Sequence, residues 1–277
     1  MPELTSSDLQ AFRAFEQAGW DKAATMYDPL AGMITQQAVE RLLDATHVGR
    51  GTCLLDIACG PGDASGRAIE RGATALGIDI APSMVVEARK KFSQAEFQEG
   101  DAEALPCDDT SFDAVVCNFG LLHVAEPDKA IAEAYRVLQS GGHYAFTVWG
   151  DPATGSSYLS MLFGAIQSHA DVSVPLPPTP PLFRFCDHEE CNKALSAVGF
   201  VDPAVTEFTL TWYAASIEML LEFVQHCTAR ARMLIEQQTA VVRARIYKAI
   251  EEGAKQFERE GRFEIPWPAV LATARKP

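Results

Sequence analysis

Leu54-Leu55-Asp56-Ile57-Ala58-Cys59-Gly60-Pro61-Gly62-Asp63 is an apolar run that breaks into a glycine turn, and it sets the architecture of the chain. A short, bounded apolar run is the pattern of a strand buried on both faces. The glycines let the backbone bend tightly and approach a ligand closely. The helix expected after them presents unpaired N–H groups and the positive end of its dipole. Such a turn can hold a pyrophosphate or the carboxylate end of an amino acid. Two details separate these ligands. A dinucleotide fingerprint needs GxGxxG, whereas here Ser65 stands at the third glycine position and Gly66 comes one residue late. Asp56 also lies at the turn, where a carboxylate repels a pyrophosphate and favours a zwitterion with a cationic end.

Outward from this turn the pattern repeats. Residues 52–58 are the first strand, 74–80 the second, 96–99 the third, 112–118 the fourth and 143–149 the fifth. Pro82 opens a helix to about Phe92, and Pro127-Asp128 open another that is expected to stop before Gly141-Gly142. Residues 8–47 read as helical, with Trp20 and Tyr27 between two amphipathic stretches. The expected fold is α/β: a Rossmann-like, seven-stranded, mostly parallel sheet with helices on both faces. After Gly150 the rhythm changes. Residues 151–170 read as helical, and PLPPTPP at 175–181 reads as a rigid loop near the rim of the core. Asp187 and Glu190 read as a capping box for a helix to about Val198. Residues 204–212 read as a strand, 216–260 as a helical lid, and 267–275 as the last strand, with Pro268 required at its start. The expectation is one domain over 1–277: an N-terminal helical cap (1–47), a core (48–150), and C-terminal strands with the lid (151–277).

Two further signals follow the first turn. Asp79, at the end of the second strand, is placed to accept hydrogen bonds from ribose hydroxyls, or to cap the helix opened by Pro82. Asp101-Ala102-Glu103 follows the third strand and can read an adenine edge, or be loop charge. All three signals lie at carboxyl ends of adjacent strands, where open sheets bind nucleotides.

DIACGPG, GIDIAPSMVVEAR, GDAEALPCDDTSFDAVVCNFGLLHV and AYRVLQSGG resemble, in that order, the motifs of class I S-adenosylmethionine (SAM)-dependent methyltransferases, and most of all the ubiquinone/menaquinone-biosynthesis C-methyltransferase branch. The resemblance covers about residues 20–150. It implies SAM as cofactor, with Asp56, Gly60 and Gly62 around the methionine moiety, Asp79 on the ribose, Ile80 and Met84 beside the adenine, and Asp101, Ala102 and Glu103 recognising it. It implies Asn118 beside the sulfonium, and Trp20 and Tyr27 in a cap that closes over the cofactor, although both could equally be helix-packing core. Family patterns often carry glycine where this chain has Ala58, a replacement tolerated if φ stays below zero.

Displacement at a methyl carbon needs alignment, exclusion of water and, for many acceptors, a base. His123, after the fourth strand, is the candidate, since imidazole changes charge near neutrality. The other reading is a histidine that only packs locally. Tyr27 could instead orient an acceptor hydroxyl. Phe163, Phe183, Phe185, Trp212, Tyr213, Met219 and Phe223 could build an apolar acceptor pocket, or be lid packing; a planar or lipophilic small molecule is the expected methyl acceptor.

The 277 residues carry a formal net charge of −14, which disfavours nucleic-acid partners. No apolar stretch is long enough for a membrane span, and MPELTSSDLQ lacks the basic start of a secretory leader. Seven cysteines without a CxxC pair fit a reducing cytoplasm, and no metal is expected. Competing functions are a SAM-binding cyclase or scaffold, an NAD-dependent oxidoreductase, and metalloid methylation through Cys186 and Cys191. The 216–260 helices could pack on a second copy, as in a homodimer, or on their own core.

Overall fold

The computed structural model describes residues 4–153 and 157–277. The strands are β1 (Cys53–Ile57), β2 (Thr74–Asp79), β3 (Glu96–Glu99), β4 (Phe112–Asn118), β5 (Leu138–Trp149), β6 (Val201–Ala214), the two-residue β7 (Glu258–Arg259) and β8 (Arg262–Arg275). They form one sheet in the order β3-β2-β1-β4-β5-β8-β6, with β7 paired to β8. β1 to β5 are parallel, whereas β8 runs antiparallel to both β5 and β6. The strand order reverses between β1 and β4, which opens a crevice at their carboxyl ends.

Alternation along the strands explains why helices cover both faces. Leu54, Ala75, Ala114, Val116 and Ala145 turn to one side, against Val39, Leu42 and Leu43 of α3 (Val39–Ala45) and Ala64 and Ala68 of α4 (Asp63–Glu70). Leu55, Ile57, Val115, Cys117 and Phe146 turn to the other, against Ile131 and Ala134 of α6 (Pro127–Val137) and Leu195 of α8 (His188–Ala197). α5 (Pro82–Lys91) buries Val85 and Ala88 beside Phe97 of β3.

Above the crevice lie α1 (Ser6–Tyr27), the single turn α2 (Met33–Thr35), α7 (Tyr158–His169), and α9 (Ile217–Cys227), α10 (Ala229–Glu236) and α11 (Ala240–Ala254), the last three inserted between β6 and β7. Their core is aromatic. Tyr158 stacks on Trp267 at 5.4 Å between ring centres and meets Trp212 edge-on at 5.3 Å, while Phe223 packs on Trp267 at 5.3 Å. The Tyr158 hydroxyl donates to the Leu220 carbonyl at 2.6 Å. Each buried ring is worth roughly 1.5–3 kcal/mol, which ties the upper halves of β6 and β8 to α7 and α9. α1 and α10 touch so closely at Gly19 that a Cβ there would sit 2.6 Å from the Ala229 Cβ.

Several boundaries differ from expectation. Trp20 and Tyr27 lie inside α1 and at its end, not between two helices; Asp28–Gly32, with Pro29, is a π turn. α6 stops at Val137, before the glycine pair, because Leu138 is already extended; Gly141 (φ +81°) and Gly142 instead shape the irregular start of β5, where the register with β4 shifts. The helix expected over 151–170 begins at Tyr158; positions 154–156 of that expectation, like the first three residues of the N-terminal cap, lie outside the described residues. The Asp187 carboxylate caps α8 by accepting from Glu189 N, but Glu190 pairs with Arg184 instead of closing a capping box. The 216–260 stretch is three helices followed by a 3₁₀ turn and β7.

β8 begins at Arg262, so Pro268 lies inside it. The Pro268 carbonyl accepts from Gly150 N at 2.8 Å, beyond the last β5–β8 pair, Trp149↔Ala269. The N–H that Pro268 lacks would point the same way, toward the end of β5 and not toward β6, so the ladder with β6 is intact and this last contact with β5 is made by one bond instead of two.

Candidate active site

The loops after β1, β2, β3 and β4 converge on one cleft at the strand ends. Ala58, Gly60, Asp79, Ile80, Met84, Asp101, Ala102, Glu103 and Asn118 line it, and α1 covers it with Trp20 and Tyr27. Asp56 and Gly62 do not line it. The turn is built from left-handed residues: Gly60 at φ +52°, Gly62 at φ +86°, and Ala58 at φ +53°. Ala58 thus has the conformation that favours glycine, not the negative φ expected for it, at a cost of roughly 1–2 kcal/mol. Its methyl is accommodated by Gly120 opposite, where a Cβ would stand 2.6 Å from the Ala58 Cβ. A Cβ on Gly62 would meet the Phe97 ring at 2.6 Å. Gly62 therefore shapes the turn from behind.

The carboxylates are held by backbone. Asp56 is 1% exposed; one of its oxygens accepts from Ser65 N (3.1 Å) and Ser65 Oγ (2.8 Å), and Oδ1 is buried without a partner. Ser65 is the third residue of α4, so Asp56 caps that helix from the strand below. Burial pushes its carboxyl up to about 7. Asp79 accepts from Gly60 N (2.8 Å) and Ala81 N (2.9 Å), joining the first two turns, and burial raises it to about 6. Asp101 accepts from Glu103 N, and Glu103 accepts from Glu126 N. Arg13 of α1 bridges both, at 3.0 Å from Asp101 and also paired with Glu103.

α1 is docked by Gln17, which donates to the Ile80 carbonyl at 2.9 Å, and by Asp21, which accepts from Ser83 N at 2.8 Å in the first turn of α5. Its inner face carries Arg13, Glu16, Trp20, Ala23 and Tyr27, at successive steps of three and four residues. His123 lies in a 3₁₀ turn after β4; its Nδ1 is 2.8 Å from the Glu16 carboxylate, and the Trp20 ring meets the imidazole edge-on at 4.6 Å. Glu16 is 5% exposed, and this imidazole is its hydrogen-bond partner. Tyr27 donates to Thr35 Oγ1 at 3.3 Å, and burial pushes its phenol above the ordinary range, so it is a neutral donor and not a base. The Asn118 amide is committed to its own protein: Nδ2 donates to the Thr35 carbonyl (3.1 Å), and Oδ1 accepts from Thr147 Oγ1 (2.7 Å).

A second cavity, of about 490 Å³, adjoins the cleft. Glu16, Trp20, Tyr27, Phe119 and His123 line both. Its walls are largely apolar: Leu159, Leu162, Phe163 and Ile166 of α7, Phe223 of α9, Trp149, Trp267, and Val172, Val174, Leu176, Leu182 and Phe183 around the proline-rich loop. Of the aromatic residues expected in an acceptor pocket, Phe163, Phe183 and Phe223 are here. Phe185 packs under the sheet on Phe146, Trp212 is behind the wall, and Tyr213 is exposed. Cys186 and Cys191 line neither cavity; Cys191 donates to the Phe185 carbonyl, and burial pushes its thiol up to about 12.

Glu16 and Arg13 belong to no motif, and Phe119, although inside the motif that ends in His123, was not singled out by the sequence. The available signal was periodicity: polar Arg13 and Glu16 fall on the same helical stripe as Trp20 and Tyr27. Phe119 sits at φ +55° and stacks on Trp149 at 3.8 Å, a placement created by the turn after β4.

Comparison with known proteins agrees with this fold. A family model described as a methyltransferase domain matches residues 55–146. The demethylmenaquinone methyltransferase of Renibacterium salmoninarum is 32% identical over 163 residues, 56% of this chain and 69% of that protein. The ubiquinone/menaquinone biosynthesis C-methyltransferase of Roseobacter denitrificans is 36% identical over 138 residues, 46% of this chain and 55% of that protein, so the chain spans only about half of this second relative. Phosphoethanolamine N-methyltransferase 2 of Haemonchus contortus, solved with phosphomonomethylethanolamine and S-adenosylhomocysteine, shares the fold at a TM-score of 0.56 and 17% identity, over 96% of this chain and 60% of that one. The residues present fit SAM: Asp79, Asp101 and Glu103 bring carboxylate oxygens to the cleft that could accept from hydroxyl and amino groups, and a Cβ on Gly120 would stand 2.6 Å from that of Ala58 in the turn. The chain belongs to the class I SAM-dependent methyltransferases and is an enzyme that takes its methyl group from SAM.

Proposed function

We propose that this enzyme methylates a lipophilic small molecule of the quinol type, seated in the 490 Å³ cavity, with His123 and Glu16 as its proton-handling pair. The carrying observation is the shared wall: His123 and Glu16 border both the cleft and the apolar cavity, so one imidazole can face acceptor and cofactor together. The curated relatives above act, by their names, on menaquinone and ubiquinone precursors, which supports an aromatic acceptor. In the cleft, Asp79 would hold the ribose, Ile80 and Met84 would flank the adenine, and Asp101, Ala102 and Glu103 would read its edge. Gly60 and Ala58 would line the methionine moiety, which Asp56 would hold electrostatically from beneath the turn, with Gly62 fixing the backbone.

Bound SAM supplies an electrophilic methyl on a sulfonium. The protein supplies the rest. Glu16 accepts the Nδ1–H of His123, which leaves the lone pair on Nε2 to take a hydroxyl proton from the acceptor. The Glu16 carboxylate then stabilises the imidazolium. Loss of that proton raises the electron density at the acceptor's oxygen and ring carbon, either of which can attack. Tyr27, held neutral, donates and orients. Trp20, Phe119 and the lid exclude water, which favours aligned reactants.

The experiment is S-adenosylhomocysteine release with 2-prenyl-1,4-naphthalenediol as acceptor. His123→Ala should lower turnover about 10²–10⁴-fold, with S-adenosylhomocysteine binding within a few-fold. Glu16→Gln should fall between His123→Ala and the wild type. No release from the wild-type enzyme would refute the quinol acceptor, and unchanged turnover in His123→Ala would remove it from the chemistry.

A further inference from the structure

Among the described residues, the apolar cavity holds one arginine that the reaction scheme leaves unused. Arg230, in the first turn of α10, lines the wall beside Thr228, Ala229 and Ala231. Its one hydrogen bond among the described residues goes to the Pro177 carbonyl, at 2.8 Å. Arg230 is half-buried and its guanidinium carries five N–H donors, so those not on Pro177 are left to solvent or to a ligand. The carboxylate that acts on it electrostatically is Glu16, which is engaged with His123. The position is adverse for a cation in its own helix. The first turn carries the positive end of the dipole, worth roughly 0.3–1 kcal/mol against Arg230. No side chain caps that turn, since the Thr228 hydroxyl turns back to the Val224 carbonyl at 2.7 Å. Trp267 lines the same cavity; it is 1% exposed, and its indole N–H is buried without a partner. Burial opposes the charged form of the guanidinium, so an oxyanion beside it would recover part of the desolvation cost.

Resting on the acceptor cavity assigned above, we infer that Arg230 is a specificity-determining residue that recognises an anionic oxygen on an otherwise lipophilic acceptor. A planar acid such as an ionised hydroxyquinone matches this wall; its neutral, purely apolar counterpart leaves the guanidinium unpaired. Arg230 is a binding residue in this assignment, whereas His123 and Glu16 handle the proton.

The test compares two probes of nearly equal size, at pH 7.5 with S-adenosylhomocysteine bound: 2-hydroxy-1,4-naphthoquinone, which is ionised, and 2-methyl-1,4-naphthoquinone, which is neutral. Binding is followed by quenching of tryptophan fluorescence and by calorimetry. The wild-type protein should bind the anion at least tenfold tighter. Arg230→Met should bring that preference to near unity with neutral-probe affinity within twofold, and Arg230→Lys should retain part of it. Equal binding of both probes to the wild type, or a preference that survives in Arg230→Met, overturns the assignment while leaving the cavity as the acceptor site. Binding of neither probe to the wild type overturns the cavity reading and this inference with it. A variant whose neutral-probe affinity falls with the anion's marks Arg230 as structural and refutes its part in selection.

Discussion

Asp56→Asn isolates a pH dependence that the fold builds into the cofactor turn. Burial lifts the Asp56 carboxyl from 3.8 to about 7. Below about pH 4 it is neutral in both folded and unfolded chains and costs nothing. Between about pH 4 and 7 the unfolded chain ionises while the folded one keeps its proton, so stability falls as pH rises. Above about 7 both are ionised and the full penalty stands, on the order of 4 kcal/mol at 1.36 kcal/mol per tenfold change in the equilibrium. Asparagine keeps a carbonyl acceptor for Ser65 and cannot ionise. It also puts an amide where Oδ1 has no partner, an offset of about 1–3 kcal/mol. The slope is therefore the signal. In urea unfolding of the free protein, the wild type should lose about 2–3 kcal/mol relative to Asp56→Asn between pH 5 and 8. Parallel curves for the two proteins would refute the burial argument. A cationic ligand should draw this proton off: near pH 6, calorimetry of S-adenosylmethionine, whose sulfonium makes it a net cation, in buffers of different ionisation enthalpy should show proton release in the wild type that is reduced in Asp56→Asn.

Gly62→Ala must place a Cβ 2.6 Å from the Phe97 ring at φ +86°, and should destabilise by about 2–5 kcal/mol; a melting temperature within 2 °C of wild type would contradict this. Arg13→Ala removes the bridge from α1 to Asp101 and Glu103 across a narrow cleft of about 80 Å³. It should speed S-adenosylhomocysteine association several-fold in stopped flow while changing stability by less than about 1 kcal/mol, since the arginine is partly exposed; an unchanged association rate would show that the bridge does not gate entry.

Much of the site was legible because strand–turn–helix units are local. The run ending at Asp56, the glycines at 60 and 62, and the acidic residues at 79 and 101–103 follow their strands directly, so chain order alone brings them to one sheet edge. The sequence also determined the α/β class, since period-two burial and glycine or proline stops recur within a few residues. Tertiary structure alone decided the rest. Ala58 adopts a left-handed conformation because Gly120, 62 residues away, leaves room for its methyl. Asp56 is held beneath the turn by Ser65, out of the cleft it was expected to line. The pairing of His123 with Glu16, 107 residues apart, exists only because α1 folds back over the fourth strand's end. Pro268 fits inside β8 because its missing N–H points away from β6, toward the frayed end of β5. These are matters of which distant backbone lies opposite, and close packing of distant segments is set by the whole core, which no local stretch of residues encodes.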